Sequence, residues 1–408
     1  MPDFTEASVE VPVTDREQEP SERIDLETRP MQPEDIPAVV KMLGDVHALF
    51  TVQSDFNDVD GEDKWQARSQ VDRLVEEMEK RGIHVHAISP RTSRYSVVNG
   101  ISRAETIFEF QKRPQERQET NLFPIYDLAY EGDFGRFEEV MAKRPIFLPL
   151  NFDETLPGNI QRVDNWQSSF LEGIEDQSGV TINSIAAERY TLKNAFNTIA
   201  RRARVPILPT SHFQDEEQLH KFTDEHVNVV RKRYNSAQGV DTYWIVKGSP
   251  ITRSLIHSFS SDPRNYSDSL FQPKYAINHE RQVYFIRGVP VGVIKKYGGD
   301  PWGIQERHEE LDELRAEEIE YVERITRHTG LCVGRVDFVV LDEPIEGRTN
   351  WILEINGVGS GQIFWEEGKQ GEPDILKADF TDQLVDYIID NYPTKSKRKA
   401  VPCRSTRR

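Results

Sequence analysis

Apolar and polar positions recur along this chain with two different periods, and the periods predict where its helices and strands lie. Residues 66–82, QARSQVDRLVEEMEKRG, place Leu74, Val75 and Met78 on one side of a helix. The following residues, IHVHAIS, alternate in the manner of a strand. We therefore expect helices and strands to follow one another in an N-terminal α/β domain.

Later runs predict further elements. A helix is expected at 187–205, where Pro206 blocks its continuation. The run TYWIVKGSP is typical of a buried strand, and RQVYFIRGVPVGVIKK is typical of a hairpin. A charged helix is expected at 306–329 with Leu311 facing inward, and a last helix at 378–392.

Charge and cysteine content narrow the class of protein. The chain has 408 residues and a net charge of −18, from 51 Lys+Arg against 69 Asp+Glu, which argues against wholesale nucleic-acid binding. The length favours more than one domain or subdomain. Cys332 and Cys403 form neither a metal spacing nor a disulfide framework, so we expect a reducing compartment.

Both ends of the sequence are polar. The first 29 residues are acidic, lack an apolar signal-peptide core, and are expected to be disordered. No run is long and apolar enough to span a bilayer, so no membrane partner is expected. We expect a cytoplasmic protein. The basic tail, TKSKRKAVPCRSTRR, is either a frayed end or a nuclear-localisation patch.

Residues 334–356, GRVDFVVLDEPIEGRTNWILEIN, read as a hairpin with ionisable side chains in both strands. Because strand side chains alternate between faces, Arg335 and Asp337 share one face of the first strand. Glu354 and Asn356 share one face of the second strand. If the two polar faces coincide, a guanidinium, two carboxylates and an amide converge.

The simplest interpretation of this hairpin is an exposed sheet face on which Arg335 pairs with Glu354. Three features favour a binding site instead. The opposite face is apolar and anchors the hairpin to a core, and Asn356 adds a neutral oxygen ligand that suits Mg²⁺. The glycines of GVGSG follow at once and free the backbone to approach an anion.

The ordered set RVDF, LEIN and GVGSG resembles the metal-binding end of the ATP-grasp superfamily, with D-alanine–D-alanine ligases and glutathione-synthetase-like ligases nearest in pattern. The segments ERYTLKNAFNTIARRARVPILPT, YWIVKGSPITRSL and FQPKYAINHERQVYFIRGVPVGV are similar to the family's upstream pieces, and the resemblance covers roughly residues 145–390. Two departures stand out. The covering loop GSPITRSL has few glycines, and GVGSG replaces the Thr-x-Pro-Gly loop of the D-alanine ligases, so a different acceptor is expected.

The resemblance implies roles for individual residues. Lys193 and Lys247 would contact ATP phosphates, and Lys274 would lie in the adenine linker, Gln272 to Tyr275. Glu280 would contact ribose and Arg281 phosphate, although an exposed hairpin edge explains this last pair equally well.

The resemblance also implies a metal and substrate site. Asp337, Glu354 and Asn356 would hold Mg²⁺, with two ions expected and Mn²⁺ as an alternative. Arg335 would be the catalytic residue that stabilises an acyl phosphate and a tetrahedral oxyanion. The substrate loop, whose backbone N–H groups could complete that oxyanion site, would comprise Gly357, Gly359, Ser360 and Gly361.

The expected fold class is α/β (α+β), with an N-terminal α/β domain before a two-subdomain ATP-grasp fold with antiparallel sheets. The expected divisions are an acidic tail (1–29), a substrate-side domain (30–185), two ATP-grasp subdomains (186–258 and 259–393) and a basic tail (394–408).

The expected function is an ATP-dependent carboxylate–amine ligase that releases ADP and phosphate, acting on a small-molecule acid and amine. A small-molecule kinase on the same fold and an inactive nucleotide-binding protein remain alternatives. The sequence leaves open whether the chain forms a homodimer.

Overall fold

The computed structural model describes residues 46–51, 71–88, 95–105, 107–112, 126–130, 134–150, 160–213, 216–233, 243–247, 269–298, 307–360, 362–364 and 375–392. Both tails, the covering loop GSPITRSL and Gly361 therefore lie outside the described residues. In the part that is described, no helix is both long and apolar enough to cross a membrane.

Helices and strands are mixed along the described chain, as the pattern predicted, and several strands follow one another directly. The strands are β1 Val46–Thr51, β2 Ile83–Ile88, β3 Tyr95–Val98, β4 Ile101–Ala104, β5 Phe108–Lys112, β6 Tyr126–Tyr130, β7 Ile146–Leu148, β8 Val180–Thr181, β9 Asn228–Arg233, β10 Tyr243–Val246, β11 Ser269–Pro273, β12 Ile277–Ile286, β13 Val289–Gly298, β14 Arg307–Asp312, β15 Val333–Ile345 and β16 Arg348–Asn356. The helices are α1 Asp72–Lys80, α2 Phe134–Ala142, α3 Ile160–Gln177, α4 Ile185–Glu188, α5 Lys193–Ala203, α6 Glu216–Glu225, α7 Ala316–Thr329 and α8 Ile375–Asn391.

A six-stranded mixed sheet forms the N-terminal part, in the order β6-β5-β2-β1-β7-β8. Strand β1 pairs in parallel with both β2 and β7, while β5 pairs antiparallel with β2. Helix α1 packs on one face through Leu74, Val75 and Met78, as predicted, and Phe137 of α2 and Phe170 of α3 lie in the core on the other face.

Strands β3 and β4 form a separate two-stranded antiparallel sheet, and two larger antiparallel sheets follow in the rest of the described chain. One has three strands, ordered β10-β9-β11, and the other has five, ordered β14-β13-β12-β15-β16. The apolar residues of α5 and α7 cover one face of the five-stranded sheet, where Val283, Phe285 and Phe338 are buried. The predicted α/β class with antiparallel sheets is confirmed.

Helix α8 joins the five-stranded sheet to the N-terminal part. Phe380 and Leu384 of α8 belong to a continuous core that also contains Phe50 of β1 and Tyr284 of β12. Ion pairs between α8 and α1, such as Arg73 with Asp382 at 3.1 Å, border this core.

The predicted charged helix at 306–329 was wrong in its first part. Residues Arg307–Asp312 form an edge strand, and only Ala316–Thr329 is helical. Glu309 and Glu310 lie opposite Lys296 and Lys295 of β13 and form ion pairs with them, so complementary charges across the strands stabilise this pairing. Leu311, expected to face inward, is 56% exposed.

The helix expected at 187–205 is interrupted. Helix α4 ends at Glu188, a short 3-10 turn covers Arg189–Thr191, and α5 begins at Lys193 after Leu192 takes an extended conformation. Pro206 follows α5 as predicted. Its carbonyl accepts a hydrogen bond from Ile352, which fixes the end of α5 against β16.

Candidate active site

The polar faces of the β15–β16 hairpin coincide, which confirms the prediction made from its alternation. Arg335 lies opposite Asn356, and Asp337 lies opposite Glu354 in the antiparallel register. The strands approach closely because residue 334 is glycine, where a Cβ would lie 2.3 Å from the Asn356 carbonyl oxygen.

Arg335 and Asn356 both bind Asp337. The Arg335 Nε atom lies 2.7 Å from Asp337 Oδ1, and Nη2 donates to Oδ2 at 3.2 Å. The Asn356 amide also donates to Asp337 Oδ2, at 3.0 Å. Arg335 and Asp337 are 5% and 7% exposed, so this ion pair lies at the buried end of the site.

Strand β12 extends the same polar surface. Gln282 lies opposite Asp337, and Glu280 lies two residues earlier on the same face. We call the surface formed by Glu280, Gln282, Arg335, Asp337, Glu354 and Asn356 the site face. Gln282 is 7% exposed, and its Oε1 atom accepts no hydrogen bond within the described structure.

The two acids of the hairpin have opposite pKa shifts. Burial raises the pKa of Asp337, and the nearby Glu354 carboxylate adds to the increase although Arg335 opposes it. Burial alone would also raise the pKa of Glu354, but the cations Lys193, Lys232 and Arg335 outweigh it and hold the pKa below its ordinary value. Two carboxylates side by side therefore form an acidic centre that a cation would stabilise.

Lys193 reaches this centre, as the resemblance implied. Its Nζ atom lies 3.9 Å from Glu354 Oε2, and its side chain is 17% exposed. Its position at the first residue of α5 places the ammonium group beside the end of β16.

Lys232 is a site residue that sequence reasoning missed. It belongs to β9 of the three-stranded sheet, and it interacts electrostatically with Glu354, Lys193 and Glu280. Burial lowers its pKa, with Lys193 adding to the effect and Glu354 opposing it. Nothing in the strand NVVRKR singles this lysine out, because the groups with which it interacts lie in other elements.

Lys247 follows β10 directly, as the resemblance implied, but it is exposed and donates from Nζ to the Asp224 carbonyl. The two lysines that the structure brings to Glu354 are Lys193 and Lys232. A contact between Lys247 and ATP phosphate stays a prediction.

Arg281 faces away from the site. It lies opposite Phe338 in the β12–β15 register, on the face covered by α5 and α7, and is fully buried. Its Nη2 and Nε atoms bind the Glu318 carboxylate, Nη1 binds Asp312, and Nη2 also donates to the Glu313 carbonyl. All of its donor nitrogens are thus used inside the fold, so the implied phosphate contact is corrected.

The expected linker lies at the end of β11. Gln272 is buried and donates to Thr210 Oγ1 at 2.7 Å, while Lys274 is exposed at the surface. Glu280 lies on the site face and interacts with Lys232 and Asp337. Its position is compatible with a ligand contact, and the role in ribose binding stays a prediction.

The expected substrate loop turns two of its N–H groups inward. Val358 and Gly359 donate to Glu188 at 3.0 and 3.2 Å. These N–H groups are therefore not directed at an oxyanion, which corrects the expectation for Gly359. Gly357 is buried between β16 and Glu188, and Ser360 ends the short 3-10 turn.

The donor set on the site face fits Mg²⁺. Asp337 and Glu354 supply carboxylates, Asn356 supplies an amide, and Mg²⁺ sites commonly use one or two carboxylates with water and substrate phosphates as the remaining ligands. Among the described residues, no group of three or more His, Cys, Asp or Glu could hold a metal by itself. A site with two acids is therefore complete only with ligands from a bound nucleotide or water.

Similarity to known proteins is confined to structure. No protein-family model matches the sequence, and no curated protein matches it. The ATP-grasp ligase PsnB, complexed with a phosphomimetic variant of a minimal precursor, Mg and ADP, is 14% identical, with a TM-score of 0.53 over 85% of this chain and 99% of PsnB.

Two other solved structures match over similar lengths. The macrocyclase MdnC from Microcystis aeruginosa MRC, bound with precursor peptide MdnA, is 13% identical, with a TM-score of 0.53 over 82% of this chain and 98% of MdnC. D-cycloserine synthetase DcsG is 13% identical, with a TM-score of 0.51 over 84% of this chain and 99% of DcsG. The chain therefore shares the fold of these solved structures, among them the ATP-grasp ligase PsnB.

Proposed function

We propose that this protein is an ATP-dependent carboxylate–amine ligase that forms an amide bond and releases ADP and phosphate. One observation carries the proposal. Two lysines from different elements, Lys193 and Lys232, reach the same carboxylate, Glu354, which lies opposite Asp337 on the site face. Positive charge thus lies beside two carboxylates, an arrangement that suits a Mg²⁺-nucleotide.

A carboxylate must be activated before an amine can attack it. Its oxygen is a poor leaving group, so an amine cannot displace it directly. Transfer of the γ-phosphoryl group of ATP to the carboxylate gives an acyl phosphate and ADP. Attack by the amine then forms the C–N bond, expels phosphate and releases a proton. Phosphoryl transfer depends mainly on positioning and charge neutralisation.

The site residues match these requirements. Asp337, Glu354 and Asn356 would hold Mg²⁺, which when bound neutralises charge on the β- and γ-phosphates. Lys193 and Lys232 would donate to phosphate oxygens as point charges. PsnB complexed with Mg and ADP has the same fold, which supports ATP and Mg²⁺ as the cofactors.

Arg335 favours a ligase over a kinase. Its guanidinium lies on the site face beside Asp337 and interacts with Glu354, one pleat from the proposed metal ligands. A cation there would stabilise an acyl phosphate and the tetrahedral oxyanion that follows. A kinase that transfers phosphate to a hydroxyl forms no tetrahedral carbon intermediate, so it has less use for this residue.

The experiment is incubation with ATP, Mg²⁺, hydroxylamine and a panel of amino acids, small acids and peptides with free carboxylates. A ligase gives ADP and a hydroxamate whenever the true acid is present, because hydroxylamine intercepts the acyl phosphate. A phosphorylated alcohol without hydroxamate would instead place the protein among the kinases. Because the loop after β16 is GVGSG, we expect little or no D-alanyl-D-alanine synthesis from D-alanine.

A further inference from the structure

A buried carboxylate binds the segment that follows β16, the strand that carries the proposed metal ligands Glu354 and Asn356. Glu188 is the last residue of α4 and is 2% exposed. Its Oε1 atom accepts the Val358 N–H at 3.0 Å, and its Oε2 atom accepts the Gly359 N–H at 3.2 Å. One carboxylate therefore fixes two successive peptide groups immediately after Asn356.

Gly357 completes this contact because it has no side chain. A Cβ atom at Gly357 would lie 2.3 and 2.4 Å from the two carboxylate oxygens of Glu188. Such distances are far below van der Waals contact, and Glu188 cannot move aside without losing its hydrogen bonds. The backbone between Asn356 and Gly359 thus follows a path set by the Glu188 carboxylate.

Asn183 connects the same carboxylate to the start of the other site strand. Its amide donates to Glu188 Oε1 at 2.6 Å and to the Val333 carbonyl at 2.8 Å. Its carbonyl accepts the N–H groups of Cys332 and Val333 at 2.8 and 2.9 Å. Glu188 and Asn183 together hold the beginning of β15 and the end of β16, two residues from Arg335 and from Asn356.

We propose that Glu188 is a positioning residue that sets the path of residues 357–359 beside the site face and, through Asn183, fixes the start of β15. The inference rests on the proposed function for its catalytic consequence, but the contact itself can be measured without turnover. Burial of an acid is unfavourable without partners. The proposed metal-binding and phosphate-binding roles do not involve Glu188, so they do not account for its burial.

The ionisation of Glu188 gives a distinctive readout. Burial raises its pKa to about 7, while the hydrogen bonds from Asn183 and the N–H groups of Gly359 and Val358 oppose the increase. Among the described residues, these neutral partners are the groups that act on it, and no charged side chain does. Because the N–H groups of Gly359 and Val358 lower the pKa of Glu188, they bind the ionised carboxylate more strongly than the protonated acid, so the hold on the loop weakens as pH falls through about 7.

The first test is Glu188→Gln, with Glu175→Gln as the matched control. Glu175 is a partly buried acid of α3 whose Oε2 atom accepts the Ile185 N–H at 3.0 Å, at the opposite end of α4. We expect amide hydrogen exchange at Val358 and Gly359 to rise at least about tenfold in Glu188→Gln, as for loss of a hydrogen bond to a charged group. Exchange at these amides should be unchanged in Glu175→Gln.

In wild type the same exchange rates, corrected for intrinsic pH dependence, should rise as pH falls from 8 to 6, and this response should disappear in Glu188→Gln. For turnover, the KM for the acceptor should rise in Glu188→Gln. The dissociation constant for ADP with Mg²⁺ should stay within about twofold of the wild-type value, because Lys193 and Lys232 lie on other elements. Equal exchange in wild type and Glu188→Gln, or equal losses in ADP binding and acceptor KM, would overturn the proposal.

A second variant keeps the test decisive if Glu188→Gln is unstable. Gly357→Ala should lower the free energy of unfolding, because its Cβ would meet the Glu188 carboxylate. In the double variant Glu188→Ala/Gly357→Ala the carboxylate is absent, so the loss should be smaller than the sum of the losses in the two single variants. Additive effects would count against the contact. If wild type makes no hydroxamate with any acid, the proposed function fails, but the exchange and double-variant results still decide the role of Glu188.

Discussion

Asp337 is the acid that the other side chains of the hairpin bind directly. Arg335 and Asn356 both bind its carboxylate, and Glu354 lies opposite it. The pKa of Asp337 stays raised although Arg335 binds it, so its negative charge is incompletely compensated and a further cation would stabilise it. At the scale of single residues, the site is thus built to accept positive charge.

The carboxylates should be essential for turnover but not for folding. Asp337→Asn and Glu354→Gln change charge with little change in shape, and each should reduce kcat by about 10²- to 10³-fold or more, as for loss of one key electrostatic group. Steady-state ADP release measures this. Asp342→Asn, an exposed change on the same strand β15, is the control. Near-wild-type turnover in both site variants would refute the metal assignment.

Lys232, rather than Lys247, should contribute to nucleotide affinity. Lys232→Met removes a cation that interacts with Glu354, and the loss of a charge-assisted contact is worth about 1.5–3 kcal/mol, or roughly 10- to 150-fold in Kd. Lys247→Met removes an exposed cation bound to a backbone carbonyl and should change Kd little. Calorimetric titration with ADP and Mg²⁺ separates the two, and the reverse order of effects would restore the family-based expectation.

At the scale of elements, Arg281 ties three parts of the fold together. It lies on β12, and it binds Glu318 of α7 and Asp312 at the end of β14. Glu318 is fully buried as well, so the pair is isolated from water. Arg281 keeps these hydrogen bonds only while α7 and the edge strand β14 stay in place. Arg281 therefore fixes α7 against the five-stranded sheet that carries the site.

Removing one member of this buried pair should therefore affect folding rather than binding. Arg281→Met leaves Glu318 buried without its partner and should lower the free energy of unfolding by about 3–5 kcal/mol. Denaturant titration measures the loss. The double variant Arg281→Met/Glu318→Leu should recover much of it, because it removes both charges. A variant with normal stability but weakened ADP binding would show instead that Arg281 contacts the nucleotide.

At the scale of the whole molecule, the acidic centre connects ligand binding to stability. Because the pKa of Asp337 is raised in the fold, its contribution to stability without metal is present below its unfolded pKa and is lost as pH rises through about 6. Above that pH the site is ionised and ready for a cation. The ionised Asp337 carboxylate thus lowers the stability of the metal-free protein at neutral pH, and Mg²⁺ binding should restore that stability.

Mg²⁺ should accordingly stabilise the protein more at pH 8 than at pH 5, because protons compete with the cation for Asp337. The increase in Tm on adding Mg²⁺ with ADP, relative to EDTA with ADP, should be larger at pH 8, and Asp337→Asn should remove most of it. Differential scanning calorimetry at both pH values tests this. An increase that is the same at pH 5 and pH 8 would show that Asp337 is not the group in competition.

The sequence by itself determined the features that depend on near neighbours. Period-two alternation placed Arg335, Asp337, Glu354 and Asn356 on one hairpin face, since strand geometry fixes side-chain direction over a few residues. In the structure Arg281 lies on the apolar face with Val283 and Phe285, an orientation that neither the resemblance nor the alternative of an exposed hairpin edge predicted.

Tertiary structure decided the rest, because the partners lie far apart along the chain. Glu188 accepts the N–H of a residue 170 positions later, and Lys232 approaches Glu354 from another sheet. Arg307–Asp312 became a strand because β13 offered matching charges at an open edge. Local periodicity sets the direction of a side chain, but only the packed chain determines which distant group it meets.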